Sequence, residues 1–151
     1  MATTVASRKQ KGRKLQQKIR DDILSLYPEL TERDVVSAPM GVPGDDIQLS
    51  QIASDIFSYS IECKNTERIN IWKDLDQSES NNRDLTPLLI FKRNRSDIYC
   101  CLTWSVFKNM IKENGELKKQ IKEIKTANKW ICAQYISFYF FNCNNVLCCM
   151  R

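Results

Sequence analysis

The sequence predicts an α/β fold, a mixed four-stranded sheet flanked by helices, on three observations. Two runs, Asp46–Ser50 and Tyr59–Lys64, alternate polar and apolar residues as half-buried strands do. Two others, Leu88–Phe91 and Ile98–Leu102, are short and continuously apolar, as strands covered on both faces are. Helical stripes of apolar residues precede and follow this group. At 151 residues the chain suffices for one domain with its own core.

Taken in order, residues 1–10 lack periodicity and read as a disordered basic tail. A helix is expected from about Lys11, where Leu15, Ile19, Ile23, Leu24, Leu26 and Tyr27 recur at helical spacing until Pro28 ends it. Val35–Gly44, with Pro39, Gly41, Pro43 and Gly44, reads as a loop. The two alternating strands follow as an antiparallel pair, joined by a short connection. Ile69–Ser80 is predicted helical, with apolar residues at 71, 72 and 75. Pro87 breaks the chain before the two apolar strands, which are linked by the basic turn Lys92-Arg93-Asn94-Arg95. Thr103 can cap a last helix carrying Val106, Phe107, Met110, Ile111, Leu117, Ile121 and Ile124, interrupted at Gly115. The tryptophans Trp72, Trp104 and Trp130 sit beside apolar neighbours and are expected to pack in cores rather than stack on bases. Residues 11–129 thus form the main domain, and 130–151 an apolar, cysteine-rich extension. That extension carries no charge until Arg151, but Gln134, Asn142, Asn144 and Asn145 argue against membrane insertion.

Charge and composition narrow the chemistry. Lys and Arg number 23 against 18 Asp and Glu, a formal net charge of +5. The excess lies at the amino end, where Arg8, Lys9, Lys11, Arg13, Lys14, Lys18 and Arg20 all precede the first acid, Asp21. Such a field suits a phosphate backbone. The chain has 7 cysteines without a CxxC pair, so neither a disulfide framework nor a structural zinc site is indicated. No secretory signal pattern follows Met1, and a reducing, cytoplasmic location is expected. The absence of histidine removes imidazole-based acid–base and nucleophilic catalysis. Any catalysis must run on carboxylates, lysine and metal.

One constellation meets that requirement. Glu62 and Lys64 are two residues apart on an expected strand and so share a face, while Cys63 turns its side chain to the other. Asp46, at the start of the neighbouring strand, can join Glu62 as a ligand of Mg²⁺ or Mn²⁺, and the Cys63 carbonyl lies at the depth of a third. Lys64 then stands beside the attacking water and the phosphate, where it can stabilise transition-state charge. Lys11, Arg13, Lys14 and Lys18 on the first helix, and Lys92, Arg93 and Arg95 on the turn, are candidate phosphate contacts.

Gly44-Asp45-Asp46 followed by Glu62-Cys63-Lys64 resembles the split-acid signature of the PD-(D/E)XK nuclease superfamily. With Gly41–Ile47, Ser60–Asn65, Asn70-Ile71-Trp72, Gln77 and Asn81, the chain is similar, over about residues 11–107, to small bacteriophage endonucleases of the Holliday-junction-resolvase-like type. The resemblance implies a restriction-endonuclease-like core. It implies Asp46 and Glu62 as the acids, Lys64 as the lysine, and Gln77, with Asn81 one turn below, as the glutamine of the following helix. In resolvase-like members an acid of the first helix can join the metal shell. Asp21, Asp22 and Glu29 are the acids in this region, and none matches. Gly44 and Asp45 stand where the family's proline would.

The function implied is metal-dependent endonucleolytic hydrolysis of DNA, with branched or junction DNA among the substrates. A junction-cutting enzyme needs two sites in a symmetric dimer, which brings a homodimer into consideration. A non-catalytic DNA-binding module with the same fold is the alternative.

Overall fold

The computed structural model describes residues 4–39, 41–81 and 84–148, the last 18 of them by backbone course alone. The chain divides after Leu102 into two units. The first opens with α1 (Val5–Leu26), capped by Thr4, whose hydroxyl accepts from the Ser7 amide. That cap starts the helix two turns earlier than the sequence predicts, so residues 5–10 belong to it rather than to a disordered tail.

Next come β1 (Val35–Ser37), β2 (Ile47–Leu49), the one-turn helix α2 (Gln51–Ile56), β3 (Tyr59–Asn65), α3 (Ile71–Asn81), β4 (Thr86–Lys92) and β5 (Tyr99–Cys101). The strands form one sheet in the order β1-β2-β3-β4-β5. Only β3 and β4 are parallel, with α3 as their crossover, so the sheet is mixed. It has five strands rather than four because β1 falls where a loop was expected. The β-branched Val35, fully buried, pairs with Leu49, and only beyond Ser37 does the proline- and glycine-rich segment take over.

Alternation along β3 sorts its side chains onto two faces. Ile61 and Cys63 join Leu88 and Ile90 of β4 under Leu15, Ile19 and Ile23 of α1. Ser60, Glu62 and Lys64 turn the other way, toward α3. β4 is therefore buried on both faces, with Leu88, Leu89 and Ile90 all core. The second apolar strand differs from expectation: β5 is an edge strand, with Tyr99 and Cys100 exposed.

Pro87, expected to break the chain, lies inside β4. The Thr86 amide donates to Ser58 of the β3 side, so the position of Pro87 faces the opposite edge, where β5 begins to pair only at Leu89. Its missing N–H therefore costs no ladder bond.

The second unit holds α4 (Trp104–Cys148), which starts behind Thr103 as expected and passes Gly115 without interruption. No atom lies within 4 Å of where a Cβ on Gly115 would stand, so the glycine sits on an open face and costs the helix only its propensity. α4 also passes the boundary expected at 129/130. Among the described residues no helix is long and apolar enough to cross a membrane.

The three tryptophans depart from the packing expected of them: Trp72 is 79%, Trp104 71% and Trp130 69% exposed. On α3 the reason is visible, because the face turned to the sheet is the polar one of Gln77, Ser78 and Asn81, and Trp72 lies off it.

Candidate active site

The site forms where β2 and β3 part. They pair only at Ile47 and Ile61, and Asp46, one residue before β2, donates its amide to Ile61 O at 3.0 Å. Its carboxylate then fills the gap that a longer β2 would have paired. Asp46 Oδ2 accepts from the Cys63 amide at 2.7 Å. An N–H and C=O of one strand residue point to the same side, so the Cys63 carbonyl opens on this edge too. Gly44 turns the chain into position, with φ +106, a conformation that favours glycine.

Asp45 takes no part in this edge: its Oδ1 accepts from the buried Ser60 hydroxyl at 2.5 Å. That contact separates the two adjacent aspartates, since only Asp46 reaches the edge of β3.

Glu62 is 3% exposed on the α3 face. Lys64 Nζ approaches its Oε1 at 2.5 Å, and Asn81 Nδ2 donates to its Oε2 at 3.0 Å. Lys64 Nζ also donates to Gln77 Oε1 at 2.9 Å and lies 3.7 Å from Asp74 Oδ1. The structure thus brings together Asp46, Glu62, Cys63, Lys64 and Gln77, with Gln77 joined through Lys64 rather than directly to the acids.

Two residues here escaped the sequence reading. Asp74, on the same helix face as Gln77 and Ser78, supplies a second negative charge to Lys64. Gln16 of α1 is 5% exposed, and its Nε2 donates to Asp46 Oδ1 at 2.5 Å while its own Oε1 is buried without a partner. Gln16 therefore occupies the place where the first helix was searched for an acid. Asp21 and Asp22 are turned outward in pairs with Arg20 and Lys18. The available signal was a polar residue set between Leu15 and Ile19 on an apolar stripe.

The electrostatics follow from burial. Burial pushes the Asp46 carboxyl above the usual range, against the pull of the Cys63 amide, Gln16 and Lys64. Burial likewise raises Glu62, with the Asp46 charge adding to it and the Lys64 and Asn81 hydrogen bonds opposing. For Lys64, burial works downward but is outweighed by the Glu62 hydrogen bond and the charges of Glu62, Asp74 and Asp46, which hold it up as a cation. The Cys63 thiol is pushed far up by burial and by the two acids, so its sulfur stays protonated.

This donor set fits a hard divalent cation. Burial raises both half-buried Asp46 and buried Glu62, the Asp46 charge raises Glu62 further, and the unpartnered Gln16 amide oxygen and the Cys63 carbonyl belong to residues that contact Asp46. Among the described residues no cluster of three or more His, Cys, Asp or Glu side chains converges. Mg²⁺ binds few carboxylates and keeps several waters, so two acids and a carbonyl are a sufficient protein share.

The candidate phosphate contacts are spread more widely. Arg13 and Lys14 are exposed on α1, while Lys18 is engaged by Asp22 in an exposed pair. Arg93 and Arg95 are exposed on the β4–β5 turn, with Lys92 half-buried at its start. A cleft of about 270 Å³ is lined by Lys11, with Arg8 of the same helix, and by Asn65, Thr66, Glu67, Arg68 and Asn94, of which Arg68 was not singled out from the sequence. The Glu67 carboxylate accepts from the Asn94 amide, and Asn65 Nδ2 donates to Lys11 O.

No curated protein and no solved structure matches the chain. A family profile described as "Phage putative PDDEXK endonuclease" does, over residues 7–146. Across that span, with a mixed sheet flanked by helices and the acids and lysine at the parting of two strands, the chain belongs to this phage-type family of PD-(D/E)XK endonucleases.

Proposed function

We propose that this chain is a divalent-metal-dependent endodeoxyribonuclease whose site is Asp46, Glu62, Lys64 and the Cys63 carbonyl. The observation that carries the reading is the juxtaposition of half-buried Asp46 and buried Glu62 with Lys64, whose Nζ lies 2.5 Å from Glu62 Oε1. Asp46, Glu62 and the Cys63 carbonyl would hold Mg²⁺ or Mn²⁺. When bound, the cation supplies Lewis-acid stabilisation of phosphoryl charge and makes a water acidic enough to attack at neutral pH.

The chain's own residues do the rest. The Cys63 amide and Gln16 orient the Asp46 carboxylate from two sides. Asn81 fixes one oxygen of Glu62. Lys64, held as a cation by its acidic neighbours, is aimed by Gln77 and Asp74 and offers its ammonium to the developing charge on the phosphate. Because its pKa is held up, Lys64 serves as an electrostatic stabiliser rather than as a base.

Basic residues along α1 and the β4–β5 turn hold the DNA. Lys11 and Arg8 lie five and eight residues before Gln16, or about 8 and 12 Å along the helix. The cleft of Arg8, Lys11 and Arg68, which Glu67 also lines, is suited to a phosphate away from the bond cut. Junction or branched DNA enters as one substrate form among several, and the choice between them rests on assay.

The test is a panel of end-labelled duplex, flap and four-way-junction DNAs with Mg²⁺ or Mn²⁺, run with the full chain and with Asp46→Asn, Glu62→Gln and Lys64→Met. Cleavage lost in all three variants, with circular dichroism unchanged, is the expected result. Cleavage that persists in them refutes the site. Salt-sensitive DNA binding without any Mn²⁺ uptake by calorimetry would instead identify a non-catalytic binding module.

A further inference from the structure

We infer that α4 pairs with α4 of a second copy of this chain as a parallel, in-register two-stranded coiled coil. The helix runs 45 residues, and the apolar side chains along it are open to solvent: Phe107 is 47%, Leu117 56%, Ile121 50% and Ile124 59% exposed. A helix this long with an uncovered apolar stripe needs a partner surface.

The stripe can be written in the heptad register of a coiled coil. With Phe107 at position a, the a series is Phe107, Asn114, Ile121 and Asn128, and the d series is Met110, Leu117 and Ile124. Five of these seven positions are apolar, Asn114 and Asn128 are the exceptions, and Ile111, 56% exposed, adds an apolar side chain at e. The b, c and f positions are polar or small almost throughout, including Lys112, Lys119 and Lys122. Gly115, which the sequence reading took for a break, falls at b, where it faces outward and needs no side chain.

Chemistry on the flanks selects the occupant. Position g of one heptad meets position e of the next on a parallel partner, which sets Glu113 against Lys118 of the other copy, twice by symmetry. An antiparallel pairing would bring e against e, where Lys118 and Lys125 repel. Asn114 and Asn128, both at a, can bond to themselves across a two-fold axis only in register, the use to which buried a-position asparagines are put. Neither a lipid surface nor an unrelated apolar groove accounts for polar residues spaced fourteen apart within the stripe. The inference stands on α4 alone and does not depend on the nuclease reading.

The experiment uses the full chain in sedimentation equilibrium. The expected mass is twice that of the chain. Leu117→Glu with Ile124→Glu should halve it. Glu113→Lys and Lys118→Glu, each surface changes that leave the fold intact, should each weaken the dimer by like-charge repulsion. Mixed in equal amounts, these two variants should restore it as a heterodimer, an outcome only parallel intermolecular pairing gives. Asn114→Ile should raise the melting temperature and admit higher oligomers. A monomeric wild-type chain overturns the inference, as does a dimer indifferent to the Leu117 and Ile124 changes. Failure of the mixed charge variants to recover a dimer also overturns it.

Discussion

Replacing Gln16 tests the organisation of the site at its least expected member. Gln16→Met keeps the length and helix propensity of the side chain and removes both polar atoms. The donated hydrogen bond to a charged Asp46 is worth about 1.5–3 kcal/mol, and its loss destabilises. The unpartnered Oε1, buried in the same side chain, costs about 1–3 kcal/mol, and its removal stabilises. The two nearly cancel, so unfolding by urea should put Gln16→Met within about 1.5 kcal/mol of the wild type. Gln16→Ala differs because it also leaves a cavity, and should cost about 2–5 kcal/mol. Metal binding should respond differently from stability. Without the Gln16 donor the Asp46 carboxyl rises further, so Mn²⁺ binding followed by calorimetry should weaken as pH falls and do so at higher pH than in the wild type. A Gln16→Met protein that loses more than about 3 kcal/mol, yet binds Mn²⁺ with an unaltered pH profile, would refute both halves of the reasoning.

Four further outcomes are expected. Lys64→Met strips the buried Glu62 of its cation and should destabilise by about 3 kcal/mol at neutral pH, with the loss shrinking on acidification as Glu62 takes up a proton; urea midpoints at two pH values check this. Asp46 and Glu62, raised in the folded state, contribute stability below their unfolded pKa values and lose it as pH rises through the folded ones. The metal-free protein should therefore gain from these two groups on mild acidification, and Asp46→Asn with Glu62→Gln should flatten that slope. Asp34 has the opposite sign. The Thr31 hydroxyl and amide and the Ser50 hydroxyl hold it low, so Asp34→Asn should destabilise above the ordinary carboxylate range, and the difference should vanish as pH falls through the folded pKa. Finally, the protonated, buried Cys63 should resist iodoacetamide while the exposed Cys100 reacts, and Cys63→Ala should cost about 1 kcal/mol with little effect on cleavage, read by mass spectrometry and by thermal melts.

Much of the site was legible because its logic is local. Two residues apart on a strand means one face, so Glu62 and Lys64 could be paired from spacing, and Cys63 assigned to the core side. Four residues apart on a helix means one stripe, so Gln77 and Asn81 could be placed together. Gln16 was not legible in the same way. Nothing in residues 10–20 says which way α1 lies on the sheet, and without that a glutamine in an apolar stripe has no visible purpose. β1 was hidden by its length, because three residues beside a proline- and glycine-rich segment carry too little pattern to outweigh it. Trp72 misled for a related reason: α3 turns the polar face of Gln77, Ser78 and Asn81 to the sheet, the reverse of the usual amphipathic arrangement.

Strand and helix periods were enough to reach an α/β fold, and charge placement with the lack of histidine to single out Asp46, Glu62 and Lys64 as candidates. They depend on neighbours along the chain, which a sequence displays directly. The parting of β2 from β3 depends on contacts between distant segments. It sends Asp46 rather than Asp45 to the edge, opens the Cys63 carbonyl there and admits Gln16 from α1. Packing alone sets which distant segments meet, and that meeting gathers the candidate acids with Gln16, Lys64 and Asn81.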